Sequence, residues 1–414
     1  MRTTLLTLFA GLLAASPLAA QLQVPGTGVG VPPVGDVVRG TTDALGSTLD
    51  TVDDAVEREA RNLLRARDRT LSRLLRQNLD AIERDAAGDL ARRGELIAIG
   101  LGEPYRFALI EAGFTSLGRE EIEGLDIVVT RLAVPEEMPL AQAQELAMQL
   151  APGTEIAADI LHFQSGEAAA ANPVVLSLQS AANIAIEVGV IDGAPGAATR
   201  VLSEKGFASG APTPSDHGSA VASLLRSAGV TRIRVADVYG EDPAGGNALA
   251  IARALGWLTQ SGSKVVTISL VGPRNALVER AVAAARARGV VVVAAVGNDG
   301  PAAPPAYPAS YEGVVAVTGV DRRNRALIEA GRALHLDYAA PGDGVYALDM
   351  RGRTKRWRGT SFATPLVAAR IAAALQRGSG WRAVTDGEAR DLGARGPDDV
   401  YGRGLLCEPC GQRN

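Results

Sequence analysis

The spacing of apolar positions changes twice along the 414-residue chain. Residues 45–94 lack proline, are densely charged and repeat apolar residues at helical spacing, which predicts one or two amphipathic helices. Residues 95–165 instead alternate strand-like runs with two short helical patterns, in the order β-α-β-β-α-β. This order predicts a small α+β domain of the ferredoxin-like type, with its helices on one face of an antiparallel sheet.

From residue 184 to residue 414, continuous apolar runs alternate with helical patterns. The runs predict buried strands at residues 185–191, 232–236, 265–270, 289–296 and 314–320. The helical patterns between them lie at residues 219–227, 247–259 and 275–288. This alternation predicts an α/β domain with a doubly wound, mainly parallel sheet and helices on both faces. In such sheets, functional side chains gather at the carboxyl ends of the strands.

The segments outside these domains are predicted to be targeting and linking sequence. Met1-Arg2, a short apolar stretch and the small residues before Gln21 are typical of a signal peptide at residues 1–20, which predicts a secreted or periplasmic protein. A membrane anchor is the alternative, but the stretch is too short to span a bilayer, and we expect no later transmembrane span. Residues 21–44, rich in Gly, Pro and Val, predict a flexible linker, and residues 166–183 predict an exposed connector.

The composition narrows the class of function. The formal net charge is −4 and no long basic block occurs, which argues against nucleic acid as the main partner. Aromatic residues make up only 4% of the chain, so we expect an aliphatic core. The two cysteines, Cys407 and Cys410, are predicted to form a local disulfide in an oxidising compartment.

Ser361 is the first candidate for chemistry. It lies in Gly359-Thr360-Ser361, where a stretch without helical period meets a long apolar helical pattern. One interpretation is a helix N-cap, because a serine hydroxyl there accepts a free backbone N–H. The other is a nucleophile, because the same free N–H groups and the helix dipole would stabilise the charge that develops in acyl transfer.

Three further polar residues decide between these interpretations. Asp192 follows an apolar strand, where it is either a turn residue or a carboxylate facing a site. His217 opens a helix of small residues and could accept the proton of a serine, with a carboxylate holding its imidazole in the right tautomer. Asn298 follows another buried strand, where its amide could bind an oxyanion or simply form a turn. The other histidines, His162 and His335, are expected to be structural.

Together these segments resemble the subtilisin-like serine proteases, or subtilases, in residue type and in the order Asp, His, Asn, Ser. Three blocks carry the resemblance: His217-Gly218-Ser219-Ala220-Val221-Ala222, Ala295-Val296-Gly297-Asn298 and Gly359-Thr360-Ser361-Phe362-Ala363-Thr364-Pro365. The resemblance implies that Asp192 orients, His217 is the base, Ser361 is the nucleophile and Asn298 completes the oxyanion hole. Residues 184–414 would then be a subtilisin-like catalytic domain that hydrolyses polypeptides through an acyl-enzyme.

The resemblance also implies how substrates bind. Ser269, Leu270 and Val271 would form the edge on which a peptide adds a strand, and Gly297 would line the first specificity pocket. Two departures from the family pattern stand out. Gly193 replaces the usual Ser or Thr beside the aspartate, and Val271 replaces a common glycine, which would narrow the pocket.

The ferredoxin-like segment, residues 95–165, resembles the inhibitory prodomain of secreted subtilases. It would assist folding, block the cleft as an intramolecular inhibitor and be removed by self-cleavage between about residues 163 and 183. We expect a monomer and no cofactor. We also expect no metal, because the catalytic domain is short for the family, so that calcium loops would be missing. The resemblance implies no role for the helical segment at residues 45–94.

Three alternatives remain open from the sequence. The first is a catalytically silent relative that acts as a binding module. The second is another serine hydrolase such as an esterase, but Ala363 stands where that fold's Gly-x-Ser-x-Gly motif needs glycine. The third is a nucleotide-binding α/β protein, but no glycine-rich fingerprint follows the first strand of the sheet.

Overall fold

The computed structural model of the chain describes residues 58–169, 183–378 and 380–407. All of them belong to one unit, Glu57–Asn414. The predicted signal peptide, the linker at residues 21–44, the first part of the helical segment and most of the connector lie outside the described residues. Cys407 is disulfide-bonded, whereas Cys410 lies outside the described residues.

The predicted helical segment ends earlier than its sequence indicates. Helix α1 covers residues 58–77 of the described chain, and a hairpin follows, formed by strands β1 (Ile82–Arg84) and β2 (Leu90–Ile99). The helical prediction for residues 78–94 is therefore wrong. The Asp85 carboxylate accepts the N–H groups of Ala87 and Asp89 and closes a tight turn that the apolar spacing does not reveal.

The predicted β-α-β-β-α-β order is confirmed. After β2 come α2 (Glu103–Glu111), β3 (Thr115–Ile122), β4 (Ile127–Ala133), α3 (Leu140–Leu150) and β5 (Glu155–Ile160). Strand β2 lies between β4 and β5, and β3 pairs with β4, so the antiparallel order is β3-β4-β2-β5. One face of this ferredoxin-like sheet packs on α2 and α3 around Phe114 and Leu132.

The chain beyond β5 is not the free connector that the sequence predicts. Strand β5 ends at Ile160, and a separate strand β6 (Phe163–Gln164) pairs antiparallel with Leu270–Val271. Strand β7 (Glu167–Ala169) pairs antiparallel with Arg356–Arg358. The prediction of an exposed connector is therefore wrong for the residues that form β7.

The larger domain contains the predicted doubly wound sheet. Its strands are β8 (Val188–Asp192), β9 (Ser203–Gly206), β10 (Ile233–Asp237), β11 (Val265–Ile268), β12 (Leu270–Val271), β13 (Val291–Ala295), β14 (Val315–Val320), β15 (Tyr338–Pro341), β16 (Asp343–Leu348) and β17 (Thr354–Arg358). Its helices are α4 (Asp216–Ser227), α5 (Ala248–Gln260), α6 (Ala276–Ala287), α7 (Thr360–Gln376) and α8 (Trp381–Glu388). Seven of these strands form one parallel sheet in the order β15-β14-β13-β11-β8-β10-β9.

Alternate residues of the central strands enter two separate cores, which is why these strands read as continuous apolar runs. Val293 packs with α4 and α7 on one face, whereas its neighbour Val292 packs with α5 and α6 on the other. The sequence analysis missed β9 and the strands after β14, because they are short or carry charged residues. None of the described helices is long and apolar enough to cross a bilayer.

The ferredoxin-like domain docks through its second face onto α5 and α6. Ile97, Ile99 and Val129 from its sheet share one apolar cluster with Leu255 of α5 and Leu277 of α6. Two glycines lie where the backbones of the two domains approach each other closely. A Cβ atom on Gly256 would lie 2.2 Å from the carbonyl oxygen of Glu123, and one on Gly124 would lie 2.6 Å from the carbonyl oxygen of Gly256. The domains therefore meet where neither backbone tolerates a side chain.

Replacing Gly256 with alanine is expected to weaken this docking. The added methyl group overlaps a backbone oxygen that cannot move without shifting a turn, which outweighs the gain of about 1 kcal/mol in helix propensity. We expect a lower urea midpoint for the first unfolding transition of the intact chain. Gly387→Ala, in α8 with no atom within 4 Å of the new methyl group, is the matched control. A Gly256→Ala chain at least as stable as wild type would contradict this packing.

Candidate active site

A carboxylate and an imidazole meet at the carboxyl end of β8. Asp192 is the last residue of β8, and its side chain is fully buried. His217 lies in the first turn of α4, with Nδ1 2.8 Å from Asp192 Oδ2 and 3.0 Å from Oδ1. Because a carboxylate only accepts hydrogen bonds, Nδ1 carries the proton, and Nε2 of the neutral ring is the acceptor. No described residue hydrogen-bonds to that Nε2.

Ser361 lies in the first turn of α7, but it does not cap the helix. The N-cap is Gly359, at a positive φ of 141°, which has no side chain with which to cap the helix. The Ser361 hydroxyl donates to the carbonyl oxygen of Ser269 at 3.1 Å and lies 2.7 Å from Ser165 Oγ. Since the Ser361 proton is used in the first contact, Ser165 donates in the second. The capping interpretation is therefore wrong, and Ser361 presents an oxygen that accepts from a neighbouring chain segment.

Asn298 presents an unused amide next to the start of α7. Its Oδ1 accepts the backbone N–H of Thr360 at 3.0 Å, which fixes the orientation of the amide group. Its Nδ2 is buried, and no described residue accepts from it. A Cβ atom on Gly359 would lie 2.7 Å from Nδ2, so the glycine makes room for the amide. A buried donor without a partner is costly, which indicates that a ligand atom belongs there.

The segment that follows the ferredoxin-like domain occupies the edge expected to bind substrate. Gln164 pairs with Leu270 and Phe163 pairs with Val271 in an antiparallel register, and Ser165 N–H points to the carbonyl oxygen of Ser269 at 3.4 Å. On the opposite side, the N–H of His162 donates to the carbonyl oxygen of Gly246, which lies on a second edge. The chain thus adds a strand between two edges of the catalytic domain.

The Ser165–Gly166 peptide lies beside Ser361. A Cβ atom on Gly166 would lie 2.6 Å from the Phe362 ring, and one on Gly359 would lie 2.7 Å from Gly166 Cα. Only glycine at both positions allows this approach. The sequence analysis did not single out Ser165 or Gly166, because a two-residue strand leaves no period in the sequence.

His162 lies in the cleft rather than in the core of the smaller domain. Its ring is fully buried against Gly272, and no described residue bonds to either ring nitrogen. Burial lowers the pKa of His162 to about 4. Its backbone is held at both ends, since N–H donates to the Gly246 carbonyl at 2.8 Å and Tyr239 Oη donates to its carbonyl at 2.9 Å. The other histidine expected to be structural, His335, lies 2.8 Å from the Val314 carbonyl through Nε2.

Helix α1 also reaches the cleft, a contact that the sequence analysis did not anticipate. Arg67 Nε lies 3.0 Å from Oδ2 of Asp299, the residue after Asn298. Leu63 packs on Gly300, and the later turns of α1 pack on β1, β2 and Leu161. An open pocket of about 690 Å³ lies between α1 and the cleft, and its walls include Val271, Gly297 and Asn298.

Gly297 and Val271 are neighbours in the wall of this pocket. A Cβ atom on Gly297, which has a φ of +85°, would lie 3.3 Å from a methyl group of Val271. Within the described residues, no group of three or more His, Cys, Asp or Glu side chains is arranged to hold a metal ion.

Comparison with known proteins gives the family. The subtilase family model matches residues 200–402, a range that includes His217, Asn298 and Ser361 but begins after Asp192. Subtilisin Savinase from Lederbergia lenta is 34% identical over 218 residues, covering 48% of this chain and 80% of that protein. An alkaline protease from Alkalihalobacillus alcalophilus is 34% identical, and the chain spans 56% of its length. This chain belongs to the subtilase family, a family of serine-type endopeptidases.

A solved structure supports the fold independently. Fervidolysin from Fervidobacterium pennivorans, a keratinolytic enzyme related to subtilisin, superposes with a TM-score of 0.64 at 17% sequence identity. The match covers 78% of this chain and 61% of that chain. At this identity the likeness shows a shared fold, which the seven-stranded parallel sheet described above confirms.

Replacing His162 with leucine is expected to stabilise the chain selectively at low pH. Because the pKa of His162 falls from 6.5 to about 4 on burial, the unfolded chain binds a proton between these values that the folded chain excludes. The histidine therefore lowers stability as pH falls through this window, on the order of 3 kcal/mol at pH 4. Urea unfolding of Ser361→Ala chains with and without His162→Leu, at pH 7 and pH 4.5, measures the difference.

The two chains are compared because a second buried group, Asp159, changes the stability with pH in the opposite direction. Burial raises the pKa of Asp159 to about 6, although the Leu249 N–H donates to it at 2.9 Å. The folded chain therefore binds this proton at a higher pH than the unfolded chain does, so Asp159 adds stability as pH falls. An identical pH dependence in both chains would contradict the assignment of a buried, neutral imidazole at residue 162.

Proposed function

We propose that the chain is the precursor of a secreted serine endopeptidase with Ser361 as nucleophile, His217 as general base and Asp192 as the group that orients the base. The observation that carries the proposal is the 2.8 Å contact between His217 Nδ1 and Asp192, with Nε2 left unpartnered among the described residues. Ser361, in the first turn of the buried helix α7, lies beside strand β6 at the same edge of the sheet. This arrangement supports acyl transfer and gives no support to a silent binding module.

The first step moves one proton and forms one bond. The Ser361 hydroxyl turns from the Ser269 carbonyl towards His217 Nε2, which accepts its proton as Oγ attacks the peptide carbonyl carbon. Asp192 stabilises the imidazolium that forms. The imidazolium then protonates the leaving amine, the C–N bond breaks and an ester to Ser361 remains. Water, deprotonated by the same imidazole, hydrolyses the ester.

Two donors would stabilise the oxyanion of each tetrahedral intermediate. They are the unused Nδ2–H of Asn298 and the backbone N–H of Ser361, which lies among the free donors at the start of α7. The Asn298 group is held in place by its other atom, Oδ1, on the Thr360 N–H. A donor that is already oriented needs no rearrangement when the charge develops.

We propose further that residues 95–165 act as an intramolecular inhibitor and that the chain cuts itself between Ser165 and Gly166. The support is the strand at residues 161–165, which fills the edge where a substrate would bind, and the 2.7 Å contact of Ser165 Oγ with Ser361 Oγ. Because the ferredoxin-like sheet packs on α5 and α6, it would hold the cleaved segment in place. Secretion rests on the signal-peptide pattern at residues 1–20 and on the likeness to subtilisins.

Self-cleavage is expected to depend on Ser361 and to leave Gly166 at the new N-terminus. Wild type and Ser361→Ala are expressed in parallel and analysed by intact mass and N-terminal sequencing. Without the nucleophile, no acyl-enzyme forms, so the Ser361→Ala chain keeps residues 165 and 166 joined. Ser116→Ala, at an exposed serine on β3, is the matched control and is processed like wild type. Equal processing of the Ser361→Ala chain would show that another protease makes the cut.

Removing the Asn298 amide is expected to lower kcat with little change in KM, because the donor acts on charge that exists only in the transition state. Loss of the corresponding donor in subtilisin lowers kcat by about 10²–10³, and we expect a similar loss for Asn298→Ala. Asn298→Asp is the sharper variant, since it keeps the acceptor for Thr360 N–H but has no N–H to donate. Recovery of kcat in Asn298→Asp would assign the residue a purely structural role.

A further inference from the structure

The side chain of Gln164, not only its backbone, contacts the active site. Gln164 Nε2 donates to Asp192 Oδ1 at 2.9 Å, across 28 positions of sequence. If the bond between Ser165 and Gly166 is the one cleaved, Gln164 is the second residue on its amino side. A substrate side chain therefore reaches the carboxylate that orients the proposed base.

Asp192 needs hydrogen-bond donors of this kind because its carboxylate is fully buried. A buried carboxylate needs hydrogen bonds to offset the water it has lost. The shorter contact of His217 Nδ1 is with Oδ2, at 2.8 Å, and the same nitrogen lies 3.0 Å from Oδ1, which also accepts from the Gly193 N–H at 2.7 Å. Because one N–H of His217 is shared between the two oxygens and is closer to Oδ2, Oδ1 can accept a further donor, and Gln164 Nε2 supplies it.

The catalytic domain cannot supply this donor from the neighbouring position. Residue 193 is glycine, and a Cβ atom there would lie 2.3 Å from Ser215 Oγ, so a serine or threonine does not fit. The same Cβ position lies 3.7 Å from Gln164 Nε2. Ser215 therefore fills the place of a side chain at residue 193, and the Gln164 amide, within van der Waals distance of that place, is the side-chain donor that reaches Asp192 Oδ1.

We propose that this enzyme selects substrates with a primary carboxamide, glutamine above all, at the second residue on the amino side of the cleaved bond. This inference rests on the proposed function and names the substrate class of the same site. The carboxamide is a positioning group, since it acts through Asp192 and does not touch the reacting atoms. An apolar side chain leaves one lone pair of the buried carboxylate without a donor. A glutamate places a second anion beside Asp192 and is excluded most strongly.

The first test uses the precursor itself. Gln164→Leu keeps a large branched side chain, one bond shorter, and removes the donor, and Gln164→Glu keeps the shape of the side chain and adds a charge. We expect the rate at which the Gly166 N-terminus appears to fall about tenfold in Gln164→Leu and further in Gln164→Glu. Gln149→Glu, the same charge change at an exposed position of α3, is the control and keeps the wild-type rate.

The second test uses the processed enzyme and peptides that span residues 161–169, with Gln, Leu or Glu at position 164. A donor on Asp192 reduces the negative charge felt by His217, whereas a nearby glutamate increases it. The acid limb of the kcat–pH profile is therefore expected to lie at the lowest pH for the Gln peptide, higher for Leu and highest for Glu. If the contact only aided binding, the three peptides would differ in KM, and the acid limbs of their kcat–pH profiles would coincide.

Different outcomes would overturn the carboxamide preference and the proposed function. If Gln, Leu and Glu chains and peptides are cut within twofold of one another while Ser361→Ala is inactive, the carboxamide proposal is overturned and the proposed function stands. If Ser361→Ala is processed like wild type, the proposed function is overturned, and the role of Gln164 with it.

Discussion

The structure depends on a carboxylate that has no access to water. Asp192 ends a strand in the middle of a parallel sheet, where both faces are covered by helices, and such a group is tolerable only if donors surround it. Those donors come from the turn at Gly193, from His217 on α4 and from Gln164 of a separate domain. The need to satisfy one buried charge therefore fixes the tautomer of the imidazole and the position of the strand in the cleft.

A second constraint comes from backbone edges. The catalytic domain presents two edges at the cleft, near residues 246 and 270, whose N–H and C=O groups need a partner. In the intact chain, residues 161–165 provide that partner. The ferredoxin-like sheet covers α5 and α6, and helix α1 contacts Asp299. The contacts that complete the folded precursor are thus of the same kind as those that would recognise a substrate. This overlap supports the proposal that one segment serves as inhibitor and as first substrate.

Most of the fold could be predicted from the sequence, because long apolar runs and helical spacing are local properties. The parallel sheet and the β-α-β-β-α-β unit follow from them, and so does the position of Asp192, His217, Asn298 and Ser361 at element ends. The pairings of β6 and β7 could not be predicted, because their partners lie more than 100 residues away and the strands are too short to show a period. The end of α1 was missed for a related reason, since a carboxylate-closed turn interrupts a helical pattern that continues beyond it.

The central claim is that Asp192 and His217 activate the hydroxyl of Ser361. Labelling with a fluorophosphonate tests this claim most directly, because the reagent reacts with an activated serine. The purified, processed protein would be labelled and the adduct mapped by mass spectrometry, in wild type and in His217→Ala. The account predicts a single adduct on Ser361 in wild type and far slower labelling of the variant. An adduct on another residue, or labelling of His217→Ala at the wild-type rate, would contradict it.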